Sequence, residues 1–240
     1  MNIRFSGDTR DLFKFDLVRH IMKSFPDLES FTFIPMLTEE VERTKKKKSL
    51  ALDLGRAVKN GKAGSQNKDL MEHLGKLQEI EDDMDYFTGI STYFKKENII
   101  VDILHRTRFA HEHRVNYFAK IVENFPEKSL IFLDPDNGLE VKNPTQRHLL
   151  YDEVKKICDR MDTRSILMIY QHFPRQKHEG FVRRRCARLH EYISLNPLTI
   201  TDNEIVFFLI TRNTHLRNRL GTVLEAYAGT YPLLDSFTCD

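Results

Sequence analysis

Apolar residues at Leu12, Phe13, Leu17, Val18, Ile21 and Met22 fall on one helical face, and Asp11 stands near its start; the spacing predicts a helix over 12–24. Residues 31–34, Phe-Thr-Phe-Ile, read as a short buried strand closed by Pro35. Strand character resumes over 99–103. Helical spacing returns over 116–124, with Phe118, Ile121 and Val122, and over 151–161, with Val154, Ile157 and Met161 on one stripe. Two continuous apolar runs, 129–133 and 165–170, have the length and composition of central strands buried on both faces. Helical spacing covers 179–195 and 216–227. Between them, 198–200 and 205–211 flank the turn-rich Thr201-Asp202-Asn203-Glu204 and predict a hairpin at a sheet edge.

Residues 39–99 break this rhythm. They are polar, with a charge run at Lys45 to Lys48, a break at Asn60-Gly61-Lys62-Ala63-Gly64-Ser65, a helix over 68–80 and an acidic stretch over 79–85. With few apolar residues of its own, the segment reads as a helical insertion covering a sheet. Alternating strands and helices with a terminal hairpin predict an α/β, three-layer Rossmann-like sheet, mostly parallel, in a single domain over 1–240 with the insertion at about 39–99. In such sheets ligands bind at the carboxyl ends of the strands. The residues just after each strand are therefore where chemistry is sought.

Composition narrows the classes. With 40% hydrophobic and 30% charged residues the chain supports a core and a solvated surface, and its formal charge of only +2 supplies no global field for nucleic acid. Nucleic-acid binding would have to come from local patches: Lys45 to Lys48, Arg183-Arg184-Arg185 with Arg188, and Arg212 with Arg217 and Arg219. Each also reads as an ordinary solvated helix face. Phe15, Tyr93, Phe109 and Phe173 are aromatic residues that would suit base stacking or simply the core. The cysteines Cys158, Cys186 and Cys239 match neither a disulfide framework nor a zinc pattern; Cys158 and Cys186 lie in helical segments and read as reduced, packed thiols. The charged N-terminal stretch lacks a signal peptide's apolar run, and no apolar run approaches the roughly 20 residues of a membrane span, so a cytoplasmic protein is expected. Oligomeric state is not legible.

Three stretches carry candidate chemistry. The strand 129–133 runs into Asp134-Pro135-Asp136-Asn137-Gly138-Leu139-Glu140, which delivers two carboxylates and an amide into a stiff turn. Carboxylates so close need a metal, a cation or a raised pKa. Capping of the turn and the next helix would explain Asp134 and Asn137 alone, but two acids, an amide and a glycine exceed what a simple turn needs. Tyr170-Gln171-His172-Phe173-Pro174-Arg175, with His178 beyond, offers a base or metal ligand in His172 and anion-binding groups in Arg175 and His178. Gly7-Asp8-Thr9-Arg10-Asp11-Leu12-Phe13-Lys14 places two acids and a lysine at a helix N-terminus, suited to a charged small molecule and equally to N-capping. No P-loop, nucleophile elbow or zincin histidine pair occurs.

The combination Gly7-Asp8, Asp11, Lys14, Phe132 to Glu140, Tyr151-Asp152-Glu153 and Tyr170-x-His172 with Arg175 and His178 resembles a widespread prokaryotic family that carries the Asp-Pro-Asp-Asn-Gly-Leu-Glu string. That resemblance spans nearly the whole chain and its Asp-Pro-Asp-Asn-Gly-Leu-Glu string is specific, but it implies no particular chemistry. More distantly, the order of elements resembles the ribosomal-RNA adenine methyltransferases with a helical insertion after the first strand. That resemblance implies S-adenosylmethionine as cofactor, with Lys14 at the family's cofactor-binding lysine, and places Asp134-Pro135-Asp136-Asn137 where the family's catalytic tetrad follows its fourth strand. Two positions depart from it: Phe33-Ile34-Pro35-Met36-Leu37-Thr38-Glu39-Glu40 lacks the family's glycines, and Asn137 replaces the tetrad's aromatic residue, which stacks on a flipped adenine.

Three functions follow as expectations. In a methyltransferase-like protein acting on nucleic acid, Asp8, Asp11 and Lys14 would hold S-adenosylmethionine. Asp134, Asp136, Asn137 and His172 would then be catalytic, and Glu140, Arg175 and His178 would hold the substrate. In a metal-dependent phosphodiester hydrolase, Asp134, Asp136, Glu140 and His172 would bind Mg²⁺ or Mn²⁺. In a non-catalytic binding protein the same fold would bind without turnover.

Overall fold

The computed structural model describes residues 7–38, 54–108, 110–123, 125–173, 178–202 and 204–239. Helix α1 (Thr9–Ser24) is followed by β1 (Ser30–Ile34), then three helices, α2 (Leu54–Lys59), α3 (Lys68–Leu77) and α4 (Asp83–Lys96), before β2 (Val101–Ile103). A 3-10 turn (His111–His113) leads into α5 (Arg114–Glu123), β3 (Ser129–Leu133), the short strands β4 (Gly138–Leu139) and β5 (His148–Leu149), α6 (Tyr151–Arg160) and β6 (Ile166–His172). The chain ends with α7 (His178–Ile193), β7 (Leu198–Thr201), β8 (Ile205–Ile210), α8 (Thr214–Ala228) and β9 (Asp235–Thr238).

The seven-stranded sheet has the order β2-β1-β3-β6-β8-β7-β9. From β2 to β6 each neighbour is parallel; β8 then runs antiparallel between β6 and β7, and β9 pairs antiparallel with β7 at the edge. This is the expected three-layer Rossmann-like fold with C-terminal antiparallel strands. Its layers follow from strand periodicity. Phe31, Phe33, Leu130, Phe132, Ile166, Met168 and Phe207 face a core built with α1, α3, α4 and α8. The alternate residues Ile34, Ile131, Leu133, Leu167, Ile169 and Phe208 face a second core built with α5, α6 and α7. Burial on both faces is why these strands read as continuous apolar runs.

Two local expectations are corrected. The insertion is richer than its polarity suggested: Tyr86, Phe87, Ile90, Tyr93 and Phe94 line the buried face of α4, whose N-cap Asp82 accepts from the amides of Met84 and Asp85. Its helix-poor Thr88, Gly89, Ser91 and Thr92 mask that face in the sequence, and Gly89 is where Leu77 of α3 packs against the helix backbone. Cys186, expected to be a reduced thiol, is disulfide-bonded to Cys239, which ties the segment after β9 to α7. Wide sequence spacing hid this pair because sheet topology brings the two ends together. Cys158 is buried and unbonded, as expected, and burial pushes its thiol up to about 12. No helix among the described residues is long and apolar enough to cross a membrane.

Candidate functional site

Parallel register aligns the carboxyl ends of the central strands. Ile34 pairs with Leu133, Leu133 pairs with Ile169, and the Asp134 amide donates to the Ile34 carbonyl at 3.1 Å. Because β8 runs backwards, its first residue Ile205 pairs with His172 and the turn before it, with Glu204, comes to the same edge. Helix α1 begins there too. Asp8 is its N-cap, accepting from the amides of Arg10 (2.8 Å) and Asp11 (3.0 Å). One turn later Lys14 reaches down to the end of β3.

The Lys14 ammonium donates to Asp134 Oδ2 at 2.9 Å and to Asp11 Oδ1 at 3.1 Å, and sits 4.4 Å from the centre of the Tyr170 ring. Asp11 Oδ2 also accepts from the Gly7 amide at 2.8 Å and from the Tyr86 hydroxyl at 3.4 Å. All four charged groups are nearly closed to solvent: Asp8 is 8% exposed, Asp11 5%, Lys14 7% and Asp134 1%. Burial alone would lower Lys14; Asp134 and then Asp11 outweigh it and hold the ammonium well above its ordinary value. Burial raises Asp134, with Lys14 opposing in part. Burial, reinforced by the neighbouring Asp11 charge, pushes Asp8 up to about 6. The site therefore gathers three carboxylates about the Lys14 ammonium, with Arg10 beside Asp8.

Further cations stand at the rim, bound to another acid. Arg10 Nε lies 3.4 Å and Lys62 Nζ 2.5 Å from the Glu204 carboxylate, and Arg10 Nε is 3.9 Å from Asp8. Burial works to raise Glu204, but Lys62 and Arg10 outweigh it and hold its carboxyl below the usual value. His172 lies in this neighbourhood. Burial and then the Arg10 charge lower its pKa, so its imidazole is neutral at pH 7, and its buried Nδ1 has no hydrogen-bond partner among the described residues.

The turn after β3 separates the remaining candidates. Asp136 Oδ2 accepts from Thr38 Oγ1 at 3.3 Å and lies 3.9 Å from Arg147 Nε. Asn137 enters through its backbone, its amide donating to the Arg147 carbonyl at 3.0 Å. Glu140 Oε2 accepts from the Tyr151 amide at 3.0 Å, so it satisfies the start of α6. His178 is the first residue of α7 and stacks on Phe173 at 3.9 Å. Arg175, Pro174, Phe109 and Lys45 to Lys48 lie outside the described residues. The helix start thus joins Asp8, Asp11 and Lys14 to Asp134, with His172 alongside through Arg10. Asp136, Asn137, Glu140 and His178 are held by other partners. Among the described residues no three His, Cys, Asp or Glu side chains group as metal ligands.

Several participants were given no role of their own in the sequence reading. Gln171 pins the turn: its Oε1 accepts from the Leu139 amide at 2.9 Å and its Nε2 donates to the carbonyls of Asn137 (3.1 Å) and His172 (2.6 Å). Gly138, at φ +85°, has the Gln171 carboxamide where a Cβ would stand. A polar residue in an apolar central strand was the available signal. Glu204 and Lys62 gave none, because only the hairpin and the insertion bring them here. Arg114 and Glu153, both buried, form an ion pair that holds α5 to α6.

The segment after β1 is closed. Pro35, Met36, Leu37 and Thr38 are all buried, and Met36 takes the left-handed conformation (φ 44°) that a glycine usually supplies. No protein-family model matches the chain, and no curated protein is similar to it in sequence.

Proposed function

We propose that the carboxyl edge binds a cationic, amino-acid-bearing ligand of the S-adenosylmethionine class, and that the protein is a methyltransferase-like protein. The observation that carries this reading is the cluster of buried carboxylates: Asp8, Asp11 and Asp134 lie about the ammonium of Lys14, and Asp8 is already pushed up to about 6. Buried carboxylates in a low-dielectric setting favour an ammonium or sulfonium as partner over a phosphate. The sheet order supports the same class, with one reversed strand between β6 and β7.

The charged end of such a ligand fits these residues. Asp8 and Asp11 would take its ammonium, and its carboxylate would exchange with one of the acids now held by Lys14. For the nucleoside end there is no glycine cradle after β1; the turn at Met36 is the local counterpart. Bound S-adenosylmethionine would supply an activated methyl group, for which positioning contributes more than base strength. Asp134 would orient an acceptor amino group, and neutral His172 would accept a proton at its Nδ1 or Nε2.

The hydrolase reading has less support, since Asp134, Asp136 and Glu140 are each committed to a different partner. The non-catalytic reading draws on one specific observation: Lys14 occupies the Asp134 carboxylate that an acceptor would need.

Calorimetric titration tests the proposal. S-adenosylmethionine carries one more positive charge than its demethylated product, S-adenosylhomocysteine. At pH 7.5 it is expected to bind more tightly, and Asp8→Asn, which removes a partner of the ammonium that the two share, is expected to weaken both. Failure of both to bind at millimolar concentration, or equal binding of the two, would overturn the reading. A thermal shift with Mg²⁺ or Mn²⁺ alone, lost in Asp134→Ala, would replace it with the hydrolase; a ligand at about 100 times its Kd stabilises by roughly 2.7 kcal/mol.

A further inference from the structure

A second concavity lies beside the carboxyl edge. It is a cleft of about 550 Å³ lined by Glu140, Lys142, Tyr151, Phe181, Arg184, Arg185 and Arg188, with Val141 and Pro144 at its rim. Three elements build it. The segment after β4 forms one wall, the start of α6 lies at its base, and α7 forms the opposite wall. Arg185 locks the corner, its Nη1 donating to the Glu140 carbonyl at 2.5 Å and to the Tyr151 hydroxyl at 2.9 Å.

The whole chain has a formal charge of only +2, yet this one cleft gathers four cations against the single carboxylate of Glu140, which the Tyr151 amide already engages. Two of the guanidinium groups lie over aromatic rings. Arg185 lies 5.0 Å over the Phe181 ring, and Arg188 lies 5.7 Å over Tyr151 and 5.3 Å over Tyr192; those two tyrosines stack at 5.2 Å. Glu191 bonds Arg188 at 2.5 Å. A guanidinium held over a ring by a cation–π contact has lost some of its freedom before a partner arrives. Val141, 45% exposed, adds an apolar edge.

We infer that this cleft binds a single-stranded polynucleotide, with Lys142, Arg184 and Arg188 on its phosphates and its bases against the arginine and aromatic layer of Arg185, Phe181, Arg188 and Tyr151. Charge alone would suit an acidic peptide equally. The layering of arginine on aromatic rings favours a partner that has planar bases as well as anions. The position fits as well: Asp136, Asn137 and Gly138 connect Asp134 directly to the Glu140 wall, so a strand lying in the cleft passes beside the carboxyl edge. The inference rests on the proposed function only for what happens to the strand, and not for its binding.

Fluorescence anisotropy with a labelled uridine oligomer, without any cofactor, tests it. Wild-type protein is expected to bind the oligomer, and Arg184→Ala/Arg188→Ala to bind it at least about tenfold more weakly. With two phosphate contacts gone, the slope of log K against log salt should fall by about 1.4. Arg184→Lys/Arg188→Lys keeps the charge and should keep that slope while losing affinity. Arg217→Ala/Arg219→Ala on α8 should bind as wild type does. Far-UV circular dichroism checks that each variant is folded. The inference is overturned if wild-type protein does not bind at low salt, if the first variant binds as tightly as wild type, or if polyglutamate displaces the oligomer at equal charge concentration; the last result would assign the cleft to an acidic protein. Loss of oligomer binding with intact S-adenosylmethionine binding, or the converse, separates failure of this inference from failure of the proposed function.

Discussion

Asp8→Asn should make the protein more stable at neutral pH. In the native chain burial, with the Asp11 charge, moves this carboxyl from 3.8 to about 6. The sign follows from proton binding. Between those values the folded chain holds a proton that the unfolded chain has released, so stability falls as pH rises through the window. Above pH 6 the full penalty is present, and a displacement of that size corresponds to an upper limit of about 3 kcal/mol. Below about pH 4 both states are protonated and it vanishes. Asparagine removes the charge but keeps the side-chain oxygen that caps α1, since Asn and Asp are near-equal N-caps. Urea unfolding at pH 7.5 should therefore show a gain of up to about 3 kcal/mol, or roughly 2–4 °C in Tm for each kcal/mol, shrinking towards zero near pH 4. Asp8→Ala, which also gives up the cap, should gain about 1 kcal/mol less. No gain at pH 7.5, or the same gain at both pH values, would refute the claim that a buried charge is kept here against stability.

Two further substitutions test the surroundings, beside the ligand and polynucleotide titrations above. Lys14→Met strands Asp11 and Asp134 as buried carboxylates and should destabilise by about 3–5 kcal/mol at pH 7.5, with the deficit shrinking as acid protonates them. Adding Asp134→Asn should restore part of it; strict additivity in that double-mutant cycle would deny the coupling. Gly138→Ala puts a Cβ 2.4 Å from the Gln171 carboxamide at a positive φ and should cost about 2 kcal/mol or more in urea unfolding, whereas a loss below about 0.5 kcal/mol would show that Gln171 does not pin the turn.

The sequence carried the frame of the sheet well, because its central strands are buried on both faces and hydrophobicity marks such strands unambiguously. Runs 129–133 and 205–211 match β3 and β8 within a residue. Short strands were lost: β4 and β5 are two residues each and exist because Gln171 and Gly138 shape the turn, a cause local pattern does not contain. At the site, Asp8, Asp11, Lys14 and Asp134 were legible as separate motifs. Their convergence was not, since the Lys14–Asp134 contact spans 120 positions and depends on where α1 docks. The hydrolase set failed to assemble for the opposite reason. Asp134, Asp136 and Glu140 are close in sequence, but the turn aims them at Lys14, Thr38 and the start of α6 in succession.

Charge then distinguishes what two neighbouring sites can hold. The carboxyl edge gathers three acids about one lysine, and its rim arginine and lysine are engaged by Glu204. The cleft beyond Glu140 gathers four cations, with Glu140 engaged by the Tyr151 amide and Glu191 bonded to Arg188. A phosphate is repelled by the first and attracted by the second; an ammonium or sulfonium behaves in the opposite way. A single polyanionic ligand would not occupy both. A cationic small molecule at the edge and a polyanion in the cleft would each find the complementary field, and the turn 134–140 joins the two. Lys14 links this arrangement to occupancy. While it holds Asp134, the end of β3 is electrostatically satisfied and an acceptor amino group has no acid to meet. A ligand carboxylate that draws the ammonium away would uncover Asp134. Binding at the edge would therefore precede recognition of the acceptor, and the Asp134→Asn variant, which has no carboxylate to uncover, should bind S-adenosylmethionine while losing that order.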